Sequence, residues 1–370
     1  MRITRIRVAR LERRLDPPFH AAWDPVPRTS FAATLVRVET DEGVTGIGSG
    51  DTMDGFPAYE HLFLGEDPMR IARHVRALET IAFHAGRYWP LEAALWDLIG
   101  KVTGQPVAVL FGGATAALPA YASTGERRTP DERAASAIAI REAGFRAMKI
   151  RIDRHRRAEG LEAVRAVRAA VGDTLELMVD LNAAWRMPGD TSPGLDVVSA
   201  RRVADELAEL GVLWLEEPLD GGDLRGLASL RAGGRIRIAG GEMTRSMPEL
   251  LAALDADAYD VYQPDVVLAV GMLRARTIAE VALARSRWFT PHTWTNGIGL
   301  LANLHVAAGV GGGPYLEYPY DPPGWTPGRR DFMLATPLAI DAEGMLRVPA
   351  RPGLGIELSP EAEAALDAAR

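Results

Sequence analysis

The sequence contains no cysteine in its 370 residues, which excludes disulfide bonds, a thiolate nucleophile and thiolate metal ligands. It also has no excess of positive charge, since the net charge is −7 and the pI is about 5.6. A protein of this charge has no basic footprint to attract phosphate groups, so we expect no nucleic-acid partner and no membrane partner. No apolar run in the sequence is long enough to cross a bilayer.

Lysine is almost absent. Lys101 and Lys149 are the only lysines among 42 basic residues, and all the others are arginines. A guanidinium group keeps its proton under ordinary conditions, whereas an ammonium group is compact and can lose its proton. Each lysine is therefore a candidate for a role that arginine cannot fill.

The arginine-rich segment MRITRIRVARLERRL has the charge of a targeting peptide but not its pattern. Ile3, Ile6 and Val8 belong to a short alternating segment, and the segment has no apolar core region of the kind that signal peptides contain. We interpret it as a first strand, and we expect the protein to be cytoplasmic.

From about residue 118 onward the chain repeats one theme, a short apolar run followed by a polar turn and a helical stretch. The apolar runs that predict strands are 119–123, 146–152, 175–182, 211–217, 235–242, 259–265, 287–292 and 314–319. Eight strands that alternate with helices predict an α/β fold with a parallel (β/α)8 TIM barrel. An open doubly wound sheet is the alternative.

Residues 1–117 have a different pattern. TLVRVETDEGVTGIGSG predicts two antiparallel strands around the turn TDEG, and helices follow through LEAALWDLIGKVTG. Gly46, Gly48 and Gly50 are spaced as in a dinucleotide-binding loop, but the βαβ context is missing, so we expect a turn.

The tail again has strand and turn character without a helical period. We therefore predict an α+β capping domain of residues 1–117 that residues 326–370 complete. The barrel is predicted to occupy residues 118–325, between these two parts.

Polar residues follow seven consecutive strands at the end where (β/α)8 enzymes place their chemistry. They are Lys149 with Arg151, Asp180 with Asn182, Glu216, Glu242, Asp265, His292 and Glu317. Asp180, Glu216 and Glu242 belong to adjacent strands and would repel one another strongly without a cation. Three carboxylates with no histidine or cysteine favour Mg2+, and separate salt bridges with the abundant arginines are the alternative.

Glu216 and Glu217 are neighbours in GVLWLEEPLD, so their side chains leave the strand on opposite sides. We expect Glu216 to reach the cation. Glu217 is expected to be bound by a local arginine or by backbone donors.

His292 and Asp265 end neighbouring strands. A carboxylate beside a histidine fixes its tautomer and raises its basicity, so the pair is a candidate general base for a weakly acidic proton. His305, in the helix that follows, is assigned a structural role.

Seven short segments, in this order, resemble the enolase superfamily and more closely its mandelate racemase branch: MKIR, MVDLN, WLEEP, GGE, YQPD, PHTW and LEYP. The resemblance extends to ALWDLIGKVTGQPVAVLFGG and to PGLGIEL in the tail. It therefore covers nearly the whole chain.

The resemblance implies that Asp180, Glu216 and Glu242 bind Mg2+ and that His292 with Asp265 is the base. The first step shared by such enzymes is abstraction of the proton α to a carboxylate. That carbon acid is too weak to react without a metal ion.

The resemblance also implies that Lys149 and Glu317 are catalytic, and that Glu317 donates a hydrogen bond or a proton to the enediolate. Residues 17–28 and 50–57 match cap loops that close over the substrate in such enzymes. The residues expected to contact the substrate are Arg151, Asn182, His20 and Trp294.

Arg151 departs from the pattern of the branch, which often has a second lysine at this place as a base on the opposite face. Arginine is not readily deprotonated, so we expect Arg151 to hold the substrate carboxylate or an oxyanion, with Lys149 supporting it electrostatically. Racemisation by two bases then becomes less favoured than a reaction in which His292 alone removes the proton and assists the departure of a β-hydroxyl group.

The leading hypothesis is a Mg2+-dependent acid-sugar dehydratase that gives a 2-keto-3-deoxy acid. The alternatives are a racemase or epimerase, a cycloisomerase of a sugar-derived lactone or anhydro acid, and a catalytically silent barrel kept for binding or structure. The expected partner is a small carboxylate substrate of the sugar-acid class, and we expect a homo-oligomer.

Overall fold

The structure, a computed structural model, describes residues 1–369. Its N-terminal part is a three-stranded antiparallel sheet, β1 (Ile3–Phe19), β2 (Arg28–Thr40) and β3 (Thr45–Gly50), in that order. The predicted first strand and the hairpin around TDEG are both confirmed. Three helices follow, α1 (Ile71–His84), α2 (Trp89–Thr103) and α3 (Val107–Leu110).

Gly46 and Gly48 lie in β3, so the prediction of a turn at these glycines is wrong. A Cβ atom on Gly46 would lie 2.0 Å from the carbonyl oxygen of Ala94, and one on Gly48 would lie 2.1 Å from that of Pro90. The glycines are required because β3 packs directly against the backbone of α2, which leaves no room for a side chain.

All eight strands predicted for the barrel are present and parallel. They are β4 (Ala117–Ser123), β5 (Ala147–Arg151), β6 (Glu176–Asp180), β7 (Trp214–Glu216), β8 (Arg237–Gly240), β9 (Val261–Tyr262), β10 (Trp288–Phe289) and β11 (Leu316–Pro319). Their order is β10-β9-β8-β7-β6-β5-β4-β11. The N–H of Phe289 donates to the carbonyl oxygen of Gly312 across the seam between β10 and β11, at 3.0 Å. The predicted (β/α)8 fold class is confirmed.

The helices of the barrel alternate with its strands. They are α4 (Pro130–Glu142), α5 (Arg157–Val171), α6 (Val197–Glu209), α7 (Leu224–Ala232), α8 (Met247–Asp255), α9 (Met272–Ala284), α10 (Gly297–Val310) and α11 (Pro327–Arg330). Local sequence fixes their starts: α4 begins with a capping box of Thr129 and Glu132 around Pro130, and Asn296 caps α10. Within residues 1–369, no helix is long and apolar enough to span a membrane.

The barrel interior is apolar at the end opposite the predicted chemistry. One layer of buried side chains, one from each of six successive strands, consists of Tyr121, Ala147, Met178, Trp214, Ala239 and Val261. The rings of Tyr121 and Trp214 meet edge to face at 5.6 Å between centroids. This layer fills the barrel interior beneath the polar residues at the C-terminal ends of the strands.

The tail contacts both parts of the chain. Strand β12 (Met345–Arg347) pairs antiparallel with β4, and helix α12 (Pro360–Ala368) packs on β1 and β2. Arg37 of β2 binds Asp367 of α12 at 2.6 Å.

His305 of α10 joins three segments. Its Nδ1 accepts the N–H of Ala108 at 2.9 Å, and its Nε2 lies 3.2 Å from the carbonyl oxygen of Leu354 in the tail. The side chain is fully buried, and burial lowers the pKa of His305 to about 4. The structural role predicted for His305 is confirmed.

His305 makes the stability of the fold depend on pH. The pKa is lower in the folded chain than in the unfolded chain, so the unfolded state binds the proton more tightly and stability is lost as pH falls from about 6.5 towards 4. Over that interval, each pH unit of acidification lowers the free energy of unfolding by about 1.4 kcal/mol through this group. His305→Gln keeps a donor and an acceptor but does not titrate, so its free energy of unfolding, measured by urea denaturation, should fall less steeply with pH. Equal slopes for the two proteins would contradict this assignment.

Candidate active site

Three carboxylates meet at the C-terminal end of the barrel. Asp180 ends β6, Glu216 ends β7, and Glu242 lies two residues beyond β8. Asp180 and Glu216 are paired in the strand register, and none of the three side chains is more than 1% exposed. One carboxylate oxygen from each lies within 4.8 Å of the others. We call these three residues the carboxylate cluster.

Two members of the cluster are held by side chains beside them. Asp180 accepts the backbone N–H of Asn182 at 2.7 Å and its amide Nδ2 at 3.0 Å. Glu216 accepts the indole N–H of Trp214 at 3.2 Å and Nε2 of Gln263 at 2.9 Å, both on Oε2. These bonds fix the two carboxylates before any ligand arrives.

Glu242 is held on one oxygen only. The indole N–H of Trp185 donates to Oε1 at 2.8 Å, and Oε2 is buried without a hydrogen-bond partner. Burial raises the pKa of both Glu242 and Glu216, because a carboxylate away from water is costly. An unpartnered carboxylate oxygen beside two other carboxylates fits a hard divalent cation, which would bind to oxygen ligands and relieve their repulsion.

Lys149 lies against the cluster and is completely buried. Its Nζ is 2.6 Å from Oε1 of Glu216, 2.8 Å from Oε1 of Glu317 and 3.5 Å from Oδ2 of Asp180. Three carboxylates around one ammonium group keep it in its charged form. Lys149, one of only two lysines in the chain, is therefore a buried cation at the centre of the site.

Glu317 of β11 accepts hydrogen bonds from several sides. Ser123 Oγ donates to its Oε1 at 2.6 Å, and the backbone N–H of Thr293 donates to its Oε2 at 2.7 Å. Burial opposes ionisation, but Lys149, His292 and Arg151 together outweigh it and hold the pKa of Glu317 well below its usual range. The role of Glu317 as a donor of a hydrogen bond or a proton to the enediolate stays a prediction.

Arg151 lies beside the cluster under a pair of aromatic rings. Its Nε is 3.4 Å from Oδ2 of Asp180, and its Nη2 is 3.4 Å from Oε1 of Glu317. The guanidinium carbon lies 4.2 Å from the ring centre of Trp23 and 4.8 Å from that of Trp294. Since Arg151 Nε has no hydrogen-bond partner among residues 1–369, it is an available donor at a buried position beside the cluster.

His292 and Asp265 form the pair that the sequence predicts. Nδ1 of His292 lies 2.9 Å from Oδ2 of Asp265, and its Nε2 lies 3.7 Å from Oε2 of Glu242. Burial alone would lower the pKa of His292, but the carboxylates of Glu242 and Glu317 and the bond to Asp265 outweigh it and raise the pKa to about 9. The bond to Asp265 therefore orients the imidazole so that its Nε2 is directed at the carboxylate cluster.

A cavity of about 550 Å³ adjoins the site through Asn182 and Trp185, whose side chains contact the carboxylate cluster. Residues of the first cap loop, including Trp23 and Asp24, line it on one side, and Asn182 and Trp185 line it on the other. Asn182, expected to contact the substrate, thus lies at the cavity while its amide group holds Asp180.

The structure does not bring His20 to this cavity. Phe19 is fully buried at the end of β1, so His20, the next residue, points outward and is exposed. Trp23, and not His20, is among the residues that line the cavity, and substrate binding by His20 stays a prediction. Trp294 faces Arg151 with its ring, while its indole N–H donates to Ser123 Oγ at 2.7 Å.

Glu217 does not have the partners that the sequence predicts. Its backbone has a φ of 47°, its side chain is 2% exposed, and its Oε2 has no hydrogen-bond partner. Burial and then the nearby charge of Glu242 raise the pKa of Glu217 well above its usual range. Glu217 lines a separate cavity of about 330 Å³, together with Arg245 and Trp185.

Sequence reasoning did not single out several residues that support the site. Gln263 lies in YQPD, two residues before Asp265, and its strand parity is a signal that it faces the same way. Ser123 ends β4 and is the strand-end polar residue of the first barrel strand. Trp185 lies in a loop without regular structure, and its sequence carries no signal of its contact with Glu242.

Two family models match the chain. The model described as Mandelate racemase / muconate lactonizing enzyme, N-terminal domain, matches residues 3–112, and the model described as Enolase C-terminal domain-like matches residues 132–362. The crystal structure of a racemase from Streptomyces coelicolor A3(2) with bound magnesium is similar with a TM-score of 0.83 and 27% identity, covering 98% of this chain and 99% of that chain.

Two curated proteins are similar over most of their length. D-galactarolactone cycloisomerase of Agrobacterium fabrum is 32% identical, with 98% of each chain covered. L-talarate/galactarate dehydratase of Salmonella typhimurium is 29% identical, with 91% of this chain and 83% of that protein covered. Together with the barrel, its cap and the residues at its C-terminal end, these matches show that the chain belongs to the mandelate racemase / muconate lactonizing enzyme family of the enolase superfamily.

Proposed function

We propose that this protein is a Mg2+-dependent acid-sugar dehydratase, which converts an aldonate or aldarate into a 2-keto-3-deoxy acid. The observation that carries the proposal is the position of His292, whose Nε2 lies 3.7 Å from Glu242 while Asp265 binds the opposite ring nitrogen at 2.9 Å. This arrangement puts a strong base next to a group of carboxylates that fits a metal ion.

The carboxylate cluster would hold the Mg2+ ion, and Lys149 would stay beside it as a fixed positive charge. When bound, the ion would act as a Lewis acid that stabilises the negative charge of the deprotonated substrate. The similar racemase structure contains magnesium, and the donor set here is of the all-oxygen type that this ion prefers.

The reaction begins when His292 removes the α proton of the substrate. The Cα–H bond breaks, the proton passes to Nε2 of His292, and the electron pair moves into the carboxylate group. The pair then returns to form a double bond between Cα and Cβ while the Cβ–O bond breaks. The departing hydroxyl group takes a proton from His292 and leaves as water, and the remaining enol tautomerises to the 2-keto-3-deoxy acid.

Elimination is favoured over racemisation because a base is available on one side only. Racemisation needs a second acceptor opposite His292, and Arg151 stands at the position where the branch often has lysine. Its guanidinium group lies against the rings of both Trp23 and Trp294 and is not readily deprotonated. Lys149 is surrounded by Glu216 and Glu317 within 2.8 Å, so its proton is bound by two acceptors.

A cycloisomerase is the second candidate. The chain and a D-galactarolactone cycloisomerase are similar over 98% of each. Elimination from a cyclic sugar acid uses the same base and the same bond changes, except that the leaving oxygen remains attached to the product. The aromatic rings of Trp23 and Trp294, which lie against Arg151, would suit the flat face of such a ring.

One assay separates these candidates. The purified protein is incubated with Mg2+ and a panel of aldonates, aldarates, aldarolactones and anhydro acids, and products are followed by mass spectrometry and proton NMR. A dehydratase product has lost the mass of one water molecule, a cycloisomerase product has the mass of its substrate, and an epimerase product keeps both the mass and the hydroxyl groups. No turnover of any member of the panel would contradict the sugar-acid proposal.

Glu216→Gln should abolish activity and weaken Mg2+ binding, because one of three anionic ligands is lost. We expect the Kd for Mg2+, measured by calorimetry, to rise more than about 100-fold, beyond the effect of losing a supporting residue. The matched control is Glu176→Gln at the start of β6, at the opposite end of the barrel, which should bind Mg2+ normally. An unchanged titration for Glu216→Gln would contradict the metal assignment.

His292→Asn should stop the exchange of the substrate α proton with deuterium from D2O. A general base contributes about 10²- to 10⁴-fold to such a step, so exchange followed by NMR should slow by that factor. His305→Gln is the control, since His305 lies outside the site. Exchange at the wild-type rate in His292→Asn would place the base elsewhere, with Lys149 the first residue to test.

The wild-type protein should not racemise a 2-hydroxy acid that lacks a β-hydroxyl group, such as lactate, because reprotonation occurs from the side of His292. Polarimetry in Mg2+ buffer should show constant rotation. Arg151→Lys should slow dehydration at least about tenfold, since the stacked guanidinium is lost, and should allow some α-epimer of the substrate to form. Efficient racemisation by the wild-type protein would overturn the dehydratase proposal and identify Lys149 as a second base.

A further inference from the structure

Trp185 connects the wall of the substrate cavity to the carboxylate cluster. It lies in the segment between β6 and α6, and its ring lines both the 550 Å³ cavity adjoining the site and the 330 Å³ cavity that Glu217 faces. Its indole N–H donates to Oε1 of Glu242 at 2.8 Å. No other hydrogen-bond donor contacts the Glu242 side chain among the described residues.

Because of this bond, the two carboxylate oxygens of Glu242 have different surroundings. Oε1 is occupied by the indole, while Oε2 is buried, has no hydrogen-bond partner and lies 3.7 Å from Nε2 of His292. The carboxylate group of a glutamate rotates easily about χ3. A single hydrogen bond to one oxygen therefore determines which oxygen faces the cluster.

Glu242 needs such a support more than its partners do. Asp180 has two hydrogen bonds from Asn182, and Glu216 has bonds from Trp214, Gln263 and Lys149. Glu242 also lies two residues beyond its strand, whereas Asp180 and Glu216 belong to theirs. The strand register that orients the other two carboxylates therefore does not extend to Glu242.

We propose that Trp185 is a positioning residue that holds Glu242 in the orientation required by a small octahedral cation. The inference rests on the metal role proposed for the carboxylate cluster. It assigns a function in metal selection to a residue of the cavity wall, so that the segment which faces the substrate also orients one ligand of the ion.

The test is a comparison of Trp185→Phe with the wild type by calorimetric titration of the metal-free protein with Mg2+ and with Ca2+. Phenylalanine keeps the ring but removes the N–H group. Loss of a support of this kind costs about 10- to 100-fold in metal affinity, and we expect the Kd for Mg2+ to rise within that range. The Kd for Ca2+ should change less, because Ca2+ accepts irregular geometry whereas Mg2+ does not.

Trp96→Phe is the matched control. The indole N–H of Trp96 also donates to a buried glutamate, Oε1 of Glu92, at 3.2 Å, but in helix α2 of the N-terminal region. This variant should lose stability without any change in Mg2+ affinity. Trp185→His, which retains a ring N–H, provides a second variant and should bind Mg2+ more tightly than Trp185→Phe.

The outcomes distinguish this inference from the proposed function. Thermal denaturation of each metal-free variant checks that it is folded. A wild-type Kd for both ions in Trp185→Phe would overturn the role of Trp185 and leave the metal site intact, as would equal losses for Mg2+ and Ca2+. Absence of Mg2+ binding by the wild-type protein would overturn the metal assignment itself.

Discussion

The repulsion among buried carboxylates is the constraint on which the rest of the site depends. The carboxylate cluster and Glu317 are at most 1% exposed, and Lys149 and Arg151 supply two buried positive charges against these four negative ones. An ion buried without compensation costs several kcal/mol, so the remaining negative charge must be balanced. A divalent cation held by the carboxylate cluster would balance it.

The fold tolerates the cost of these buried charges because apolar packing in other parts of the molecule stabilises it. The layer of apolar side chains below the site fills the barrel, and a separate buried cluster of cap residues packs around α2 and β3. Parallel strands in register bring Arg151, Asp180 and Glu216 side by side as neighbours of β5, β6 and β7. The polar end can therefore be arranged for chemistry, since folding does not rely on it.

The sequence was sufficient to predict the barrel, the cluster and the pair of His292 with Asp265, because each depends on a repeat that is visible in the chain. A strand followed by a helix returns the chain to the same end of the barrel, so the last polar residue of each repeat lies at that end. The loops have no repeat of this kind in their sequence, so the positions of their side chains cannot be predicted in the same way. In the first cap loop, for example, Phe19 is buried, His20 is exposed and Trp23 lines the cavity, and no sequence repeat predicts which of these residues does so.

Glu217 and Trp185 show the same limit at the level of single side chains. Alternation correctly separates Glu217 from Glu216, but the positive φ at Glu217 accompanies a carboxyl group that lines a different cavity and whose Oε2 has no hydrogen-bond partner among residues 1–369. The contact of Trp185 with Glu242 joins residues 57 positions apart, and only the folded loop brings them together. Neither feature is encoded in a local pattern.

Dehydration and cycloisomerisation differ less in chemistry than their names suggest. Both remove the proton α to a carboxylate and both break the bond from Cβ to oxygen, so both need the same base, the same cation site and no second base. What differs is whether the leaving oxygen is tethered to the rest of the substrate, and that is a property of the substrate which the cavity admits. In the function proposed here, the choice between the two reactions would therefore depend on the cavity wall, to which the cap loop with Trp23 and the segment with Trp185 contribute, rather than on His292 and the carboxylate cluster.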